Sequence, residues 1–269
     1  MRVFLHTFYW FALSLCIAPS LIAQLNNAQI SDDYQRFGLK PDVAPAPWED
    51  GMRTSGGKNS YERWYLAADL EDGSKAVVIF YTKEFTNIKK PLRPIIRVTI
   101  NRADGTLIQK NWTYEEAQIT ASKDACSVTI GKNYFRGDLE NYEIHLEEED
   151  FKLTAKLQRS TESWRPKTGH ITFGPEQDQL FNWFVAVPKG AIQLSYTHEG
   201  KTIETEGLGY HDHNWGNVNM MDLFHHWYWS RTAIGPYNII AAQMVATKDF
   251  DHDPIQVFHL SKNGTTIAD

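Results

Sequence analysis

Short runs of strand-forming residues joined by tight turns recur along this chain and constrain its fold most strongly. Asp72-Gly73, Asp104-Gly105 and Glu199-Gly200 each separate two strand-forming runs. Such pairs favour the turns of β-hairpins. The predicted hairpins occupy residues 62–82, 95–108, 142–160 and 191–211. No stretch of twelve residues carries a convincing apolar stripe of helical period. The sequence therefore predicts an all-β fold, an antiparallel barrel or sandwich.

Residues 1–23 have the composition of a secretory signal peptide. Arg2 precedes an apolar run that contains no acidic residue, and cleavage is predicted after Ala23. A retained membrane anchor is the alternative, although His6, Thr7 and Pro19 interrupt the run. We expect a secreted or secretory-pathway protein with no stable membrane span after leader removal. Glycosylation sequons at Asn111 and Asn263 favour the same compartment.

Charge and aromatic content limit the classes of partner. The formal net charge is −6 and no basic stripe is present, which argues against nucleic-acid binding. Aromatic residues make up 13% of the chain, and they often line pockets for hydrophobic small molecules. Cys126 is the one cysteine beyond residue 23, so an internal disulfide is impossible there. The sequence does not specify an oligomeric state.

Two neighbouring motifs concentrate polar and aromatic side chains: "GLGYHDHNWGN" (residues 207–217) and "HHWYWSR" (residues 225–231). Seven of the 28 residues from 210 to 237 are aromatic and four are histidines. We interpret this segment as the wall of a substrate pocket. The candidate substrate-binding residues are Tyr210, His211, His226, Trp227, Trp229 and Tyr237.

Three interpretations of these motifs stay open. His211 and His213 share a strand face and could bind a metal with His225 or His226, but a cupin-like glutamate is missing at the required spacing. Alternatively, a half-buried Asp212 would stay protonated and act as an acid or hydrogen-bond donor. The third interpretation is purely structural packing. The missing glutamate favours a site without a metal.

The same motifs, followed by "WYWSRTAIGPYNIIAA", resemble the hydroxyneurosporene synthase (carotenoid 1,2-hydratase) and AttH-like family. That family includes fungal kievitone hydratase and fungal Diels–Alderases, and the resemblance covers about residues 61–242. It implies lipocalin-like antiparallel β-domains and neither a metal nor a redox cofactor. In the hydratases the "HNW" histidine and tryptophan are active-site candidates, which correspond to His213 and Trp215. We add Asp212, Tyr228 and Arg231 as candidate catalytic residues.

The resemblance also implies a domain organisation. After an extended lead-in without a core at residues 24–50, we expect a lipocalin-like domain at residues 51–222. Residues 223–269 would begin a second lipocalin-like barrel of about two strands. No return strand is expected after Asn263-Gly264, so residues 255–260 would lie at an open sheet edge. We therefore expect the chain to be a shortened form of a longer family member.

Two classes of function are compatible with this sequence. The first is an enzyme that acts on C=C bonds of a hydrophobic terpenoid or polyketide in secondary metabolism. Within it a Diels–Alder or hetero-Diels–Alder catalyst is favoured, and an alkene hydratase is the alternative. The second class is a non-catalytic lipocalin-like carrier of a hydrophobic ligand.

Overall fold

The computed structural model describes residues 27–269, which are built almost entirely from antiparallel strands. The predicted signal peptide lies outside these residues. No helix among residues 27–269 is long and apolar enough to cross a membrane. The strands are β1 (Ala28–Ile30), β2 (Tyr61–Leu70), β3 (Lys75–Tyr81), β4 (Ile95–Asn101), β5 (Leu107–Thr113), β6 (Ile119–Ala121), β7 (Ser127–Ile130), β8 (Asn133–Gly137), β9 (Asn141–Glu148), β10 (Phe151–Arg159), β11 (His170–Phe173), β12 (Gln179–His198), β13 (Lys201–Gly216), β14 (Phe224–Ile234), β15 (Tyr237–Ala246), β16 (Pro254–Lys262) and β17 (Thr265–Ala268). The helical segments are α1 (Met220–Leu223) and 3-10 turns at Pro47–Asp50, Phe85–Asn87, Glu116–Gln118 and Lys248–Phe250.

The described strands form two sheets. The first sheet has thirteen strands, with a main path β5-β4-β3-β2-β13-β12-β10-β9-β8-β7-β6. Strand β11 pairs with the beginning of β12, and β1 pairs with β11. The second sheet has four strands in the order β14-β15-β16-β17. Every pairing is antiparallel, so the all-β prediction is confirmed.

All four predicted hairpins are present. Strands β2 and β3 pair across Asp72-Gly73, and β4 and β5 pair across Asp104-Gly105. The acidic turn joins β9 to β10, while Glu199-Gly200 joins β12 to β13. Both residues of the last turn adopt positive φ, as a type I′ hairpin turn requires.

Strand β12 bends where it changes partners. Its register against β13 shifts between Phe184 and Gly190, a segment that contains Pro188. Proline cannot donate a ladder hydrogen bond, and bulges bend strands and increase their twist. The first half of β12 therefore pairs with β11 and the second half with β10. This bend contributes to the curl of the first sheet.

The curled sheet separates two apolar cores. One core fills the concave side of the first sheet and includes Trp64, Phe135 and Phe184. The other lies between the two sheets and includes Trp183 and Phe224. Residues 181–188 and 209–214 are buried without alternation because both faces of β12 and β13 are covered there. Elsewhere on these strands, exposed residues alternate with covered ones.

Two expectations about the chain ends differ from the structure. The lead-in contributes β1 to the first sheet, and its Asp50 reaches the barrel interior, so it is not free of core contacts. A return strand, β17, does follow Asn263-Gly264, because only four residues are needed to pair back onto the end of β16. Residues 223–269 thus form four strands rather than two. Before Leu260, the side of β16 away from β15 has no ladder partner in the described chain.

The predicted glycosylation residues both lie on the surface. Asn111 is exposed on β5, an edge strand of the first sheet, and Asn263 is exposed in the turn between β16 and β17. Their modification and the proposed domain boundaries stay predictions.

Candidate active site between the sheets

Strand β13 sends the motif residues to opposite sides of the first sheet. Tyr210 packs in the core between the sheets, and Asp212 and Asn214 line a cavity there. His211 and His213 point to the concave side, because successive side chains alternate along a strand. A Cβ at Gly207 would lie 2.2 Å from the backbone oxygen of Asp69, so glycine is needed for the close approach of β13 to β2.

The cavity has a volume of about 210 Å³ and lies between the two sheets. Trp183 on β12 and Tyr65 on β2 form part of one wall, and Trp227 and Trp229 on β14 form part of the other. Two methionines, from α1 and β15, complete much of the apolar lining. The cavity is smaller than the roughly 300–1,000 Å³ of sites that enclose drug-sized ligands. It can therefore enclose the reacting part of a larger hydrophobic molecule.

Asp212 is the acidic group of this cavity, and its two oxygens have different surroundings. Its Oδ2 accepts hydrogen bonds from the Tyr210 hydroxyl at 2.7 Å and from Trp183 Nε1 at 2.9 Å. Its Oδ1 is buried and has no hydrogen-bond partner. Burial raises the pKa of Asp212, although Arg63 and the two donors oppose that rise. The raised pKa widens the pH range over which Asp212 is protonated, and Oδ1 is the oxygen left free to carry a proton.

Arg63 and Asn214 add a polar patch that the motif analysis missed. They face each other on the paired strands β2 and β13, and Arg63 Nε donates to Asn214 Oδ1 at 2.7 Å. Both line the cavity beside Asp212. Arg63 beside the aromatic residues of β2 was the available signal, but its position beside Asp212 depends on strand pairing.

His211 and His213 do not join Asp212 in this cavity. His213 Nε2 lies 2.9 Å from Glu62 Oε2, and its ring stacks on Trp64 at 4.6 Å. His211 Nε2 lies 3.0 Å from Asp50 Oδ2. Both histidines are fully buried. Asp212 and His213 thus face opposite cores, as the alternation of side chains along a strand predicts, and a catalytic role for His213 stays a prediction.

Trp215 lies on the same side of β13 as His213. Its ring centroid is 4.9 Å from that of His213 and 5.7 Å from that of His170. It lines a separate cavity of about 160 Å³ together with Trp48 and Phe184. Trp215 is therefore not part of the cavity that holds Asp212.

The predicted residues of β14 and β15 divide in the same way. Trp227 and Trp229 line the inter-sheet cavity, whereas Tyr228 is 69% exposed and does not line it. His226 is exposed, and its Nδ1 lies 2.7 Å from that of His225. On β15, Tyr237 is partly exposed and contacts the ammonium of Lys262.

Arg231 connects the two sheets rather than lining the cavity. Its Nη2 donates to Asp69 Oδ2 at 2.6 Å, and its guanidinium lies 5.6 Å from the centre of the Tyr210 ring. Since Tyr210 hydrogen-bonds Asp212, Arg231 supports the wall behind the acid. Arg231 therefore lies at the margin of the cavity, and its predicted catalytic role stays a prediction.

One set of potential metal ligands converges within the described residues. Asp50, Cys126 and His211 place ligand atoms within 4.8 Å of one another on the concave side of the first sheet. They lie on the opposite side of β13 from Asp212.

Comparisons with curated proteins give short matches. A 55-residue segment is 34% identical to the quinolone epoxide rearrangement protein penF of Penicillium thymicola, and covers 20% of this chain and 15% of penF. A 61-residue segment is 38% identical to hydroxyneurosporene dehydrogenase of Chlorobaculum tepidum, and covers 20% of this chain and 16% of that protein. The matches thus span less than a fifth of these relatives.

Similar solved structures cover far more of the chain. An AttH protein from Nitrosomonas europaea superposes with a TM-score of 0.64 at 19% identity, over 85% of this chain and 73% of its own. Kievitone hydratase from Nectria haematococca gives 0.56 at 14% identity, over 84% and 68%. CghA gives 0.57 at 11% identity, over 90% and 69%. At these identities the likeness shows the fold.

The family assignment comes from a match that extends from before β2 to the end of β17. The model of the family described as Diels-Alderase-like matches residues 55–269, which include every described strand except β1 and all residues that line the inter-sheet cavity. The chain belongs to the Diels-Alderase-like family.

Proposed function

We propose that this chain is a natural-product tailoring enzyme that acts on C=C bonds of a hydrophobic terpenoid or polyketide, with the inter-sheet cavity as its active site. The observation that carries the proposal is Asp212, a buried acid with one oxygen held by two donors and the other unpartnered in an aromatic cavity. The family match and the fold shared with kievitone hydratase and CghA support an enzyme of this kind.

The favoured reaction is a Diels–Alder or hetero-Diels–Alder cycloaddition. The aromatic walls would hold a flexible substrate in a reactive conformation, and well-oriented proximity supplies about 7–11 kcal/mol of barrier lowering. Protonated Asp212 Oδ1 would donate a hydrogen bond to a carbonyl that activates the dienophile. No proton is transferred in this reaction, and the product of an intramolecular case is an isomer of the substrate.

Hydration of an alkene is the second candidate, and the same acid supports it. Asp212 would protonate one alkene carbon, and the faces of Trp183 and Trp229 would stabilise the cation. Water would then attack the cation, and the carboxylate would recover a proton. His213, an active-site candidate by resemblance, would not direct this water, since it faces the barrel interior.

The cavity dimensions limit how the substrate binds. About 210 Å³ encloses one or two rings, so the rest of a larger substrate would extend along the exposed side of β14. Trp227 is 42% exposed and lies where such a molecule would leave the cavity. We therefore expect a substrate with one activated unsaturated head and a longer apolar body.

Product masses distinguish the candidates. The purified chain would be incubated with fungal metabolite extracts in ¹⁸O-water and analysed by untargeted mass spectrometry. An isomeric product without label supports cycloaddition, and a product heavier by one labelled water supports hydration. Binding without conversion would support the carrier instead. Asp212→Asn is the test variant, and Asp104→Asn, in an exposed turn, is its matched control.

A further inference from the structure

A cluster on the concave side of the first sheet is not used by the proposed reaction. Asp50 ends the 3-10 turn of the lead-in, Cys126 precedes β7, and His211 lies on β13. All three side chains are buried, and they bring an oxygen, a sulfur and a nitrogen within 4.8 Å of one another. Three distant parts of the chain therefore converge on one point.

The hydrogen bonds of His211 require a proton or a metal ion between its Nε2 and Asp50 Oδ2. His211 Nδ1 lies 3.0 Å from the backbone oxygen of Tyr65, which can only accept, so Nδ1 carries the hydrogen. His211 Nε2 lies 3.0 Å from Asp50 Oδ2, which also accepts from the Tyr142 hydroxyl at 2.5 Å. In a neutral imidazole, Nε2 would present a lone pair to a carboxylate. Either a proton or a metal ion must lie there.

Neighbouring atoms are also left without partners. Asp50 Oδ1 and His213 Nδ1 are buried, have no hydrogen bond, and lie 3.7 Å apart. The Cys126 thiol lies 3.8 Å from the backbone oxygen of Phe135 and also hydrogen-bonds the Asp50 carboxylate. A proton on His211 would leave Asp50 Oδ1 and His213 Nδ1 without a hydrogen bond. A metal ion would engage the carboxylate and the sulfur together.

We propose that Asp50, Cys126 and His211 form a buried structural zinc site. A carboxylate oxygen, a thiolate and an imidazole nitrogen are all usual zinc ligands, whereas Mg²⁺ and Ca²⁺ avoid sulfur. The Nδ1 hydrogen bond to Tyr65 is the outer contact that fixes a zinc-binding histidine through its other nitrogen. His213 Nδ1 lies 3.7 Å from Asp50 Oδ1, next to the three proposed ligands but not among the groups that converge. The charges of Asp50 and the Cys126 thiolate would balance those of the ion.

The site would join the lead-in to the barrel. Cys126 is free and is the one cysteine beyond residue 23, so no disulfide can link the lead-in to the barrel within the described chain. The sequence-based expectation of a site without a metal rested on His211, His213 and the histidines that follow them. Asp50 and Cys126 are distant in sequence and were not part of that pattern. The competing occupant is a proton, since Asp50 raises the pKa of His211 although burial opposes it.

Metal analysis of the full chain tests this proposal directly. Protein from zinc-supplemented expression would be desalted and its zinc measured against protein concentration. We expect about one zinc per chain, retained in His225→Gln, an exposed control, and lost in Cys126→Ser and His211→Gln. Zinc that persists in both site variants would overturn the proposal, as would wild-type protein without zinc.

A cobalt measurement covers the case in which the variants do not fold. Wild-type chain would be unfolded with chelator and refolded with Co²⁺, and its near-ultraviolet absorption recorded. We expect a thiolate-to-cobalt charge-transfer band, together with a higher melting temperature than that of metal-free refolded protein. Refolded wild-type protein without this band would show that His211 carries a proton instead.

Discussion

Two substitutions of Asp212 separate hydrogen-bond donation from proton transfer. In Asp212→Asn, the amide oxygen can replace Oδ2 as acceptor for Tyr210 and Trp183, and the amide NH₂ can replace the protonated Oδ1 as donor. The amide cannot give up a proton. Asp212→Ala removes the donor and leaves two buried donors unpaired, which costs about 1–3 kcal/mol each.

The expected rates differ between the two reactions. For a cycloaddition, Asp212→Asn should keep activity within about tenfold of wild type, and Asp212→Ala should lose about 10²–10³, as for removal of one oxyanion donor. For a hydration, both variants should lose about 10²–10⁴, the usual contribution of general acid catalysis. Initial rates of product formation would be measured by liquid chromatography and mass spectrometry, below the lowest melting temperature of the set.

The pH dependence gives an independent check on the same acid. Burial raises the pKa of Asp212 above its ordinary value of 3.8. The contribution of Asp212 to folding stability is therefore fully present below pH 3.8 and is lost as pH rises through the raised pKa. Wild-type activity should fall over that rise, and Asp212→Asn should lack this limb in a cycloaddition. Asp212→Asn should also be at least as stable as wild type at neutral pH. If Asp212→Ala retained activity within twofold, the assignment of the active site would be wrong.

Three further outcomes are expected. Arg231→Met should lower stability by about 0.2–1 kcal/mol, because its ion pair with Asp69 is partly exposed. Burial would raise the pKa of Asp69, but hydrogen bonds and charge from Lys75 and Arg231 outweigh burial and lower it. The stability difference between Arg231→Met and wild type should therefore shrink as pH falls through that lowered pKa. A constant difference down to pH 3 in thermal melts would contradict this. Gly207→Ala should destabilise by about 1–3 kcal/mol in urea unfolding, since its Cβ meets backbone, whereas Gly57→Ala should change stability by less than about 0.5 kcal/mol. Tyr228→Phe should leave turnover within about twofold, because the side chain is exposed outside the cavity; a large loss would restore its predicted catalytic role.

The hairpins were predictable because their determinants are local. Asp72-Gly73, Asp104-Gly105 and Glu199-Gly200 specify turns, and the flanking residues specify strands, without reference to distant parts of the chain. The resemblance to the family was also correct, since the family match includes the motifs that carried it. The return strand β17 was missed because a four-residue strand carries too little pattern to detect.

The site was only half predictable, because it depends on strand pairing. Asp212, Trp227 and Trp229 were identified from local density, and the structure brings them together. Arg63 and Trp183 come from β2 and β12, and their places beside Asp212 follow from registers that no local pattern specifies. The opposite orientation of Asp212 and His213 was predictable, because adjacent residues of a strand point to opposite faces. Which face lines a cavity was not predictable, because β13 is covered on both faces there.

The position of β13 between two cores has a consequence for how this family can diversify. Even-numbered residues from 210 to 214 contact the chamber between the sheets, and the odd-numbered residues between them contact the barrel interior. Under the proposed function, substitutions at positions 210, 212 and 214 would alter the substrate cavity and leave the contacts of the barrel interior unchanged. Insertion or deletion of one residue in β13 would exchange the two sets and place Asp212 among Asp50 and Glu62. Related sequences can thus tolerate substitutions in β13, whereas a change in the length of this strand would disrupt both cores.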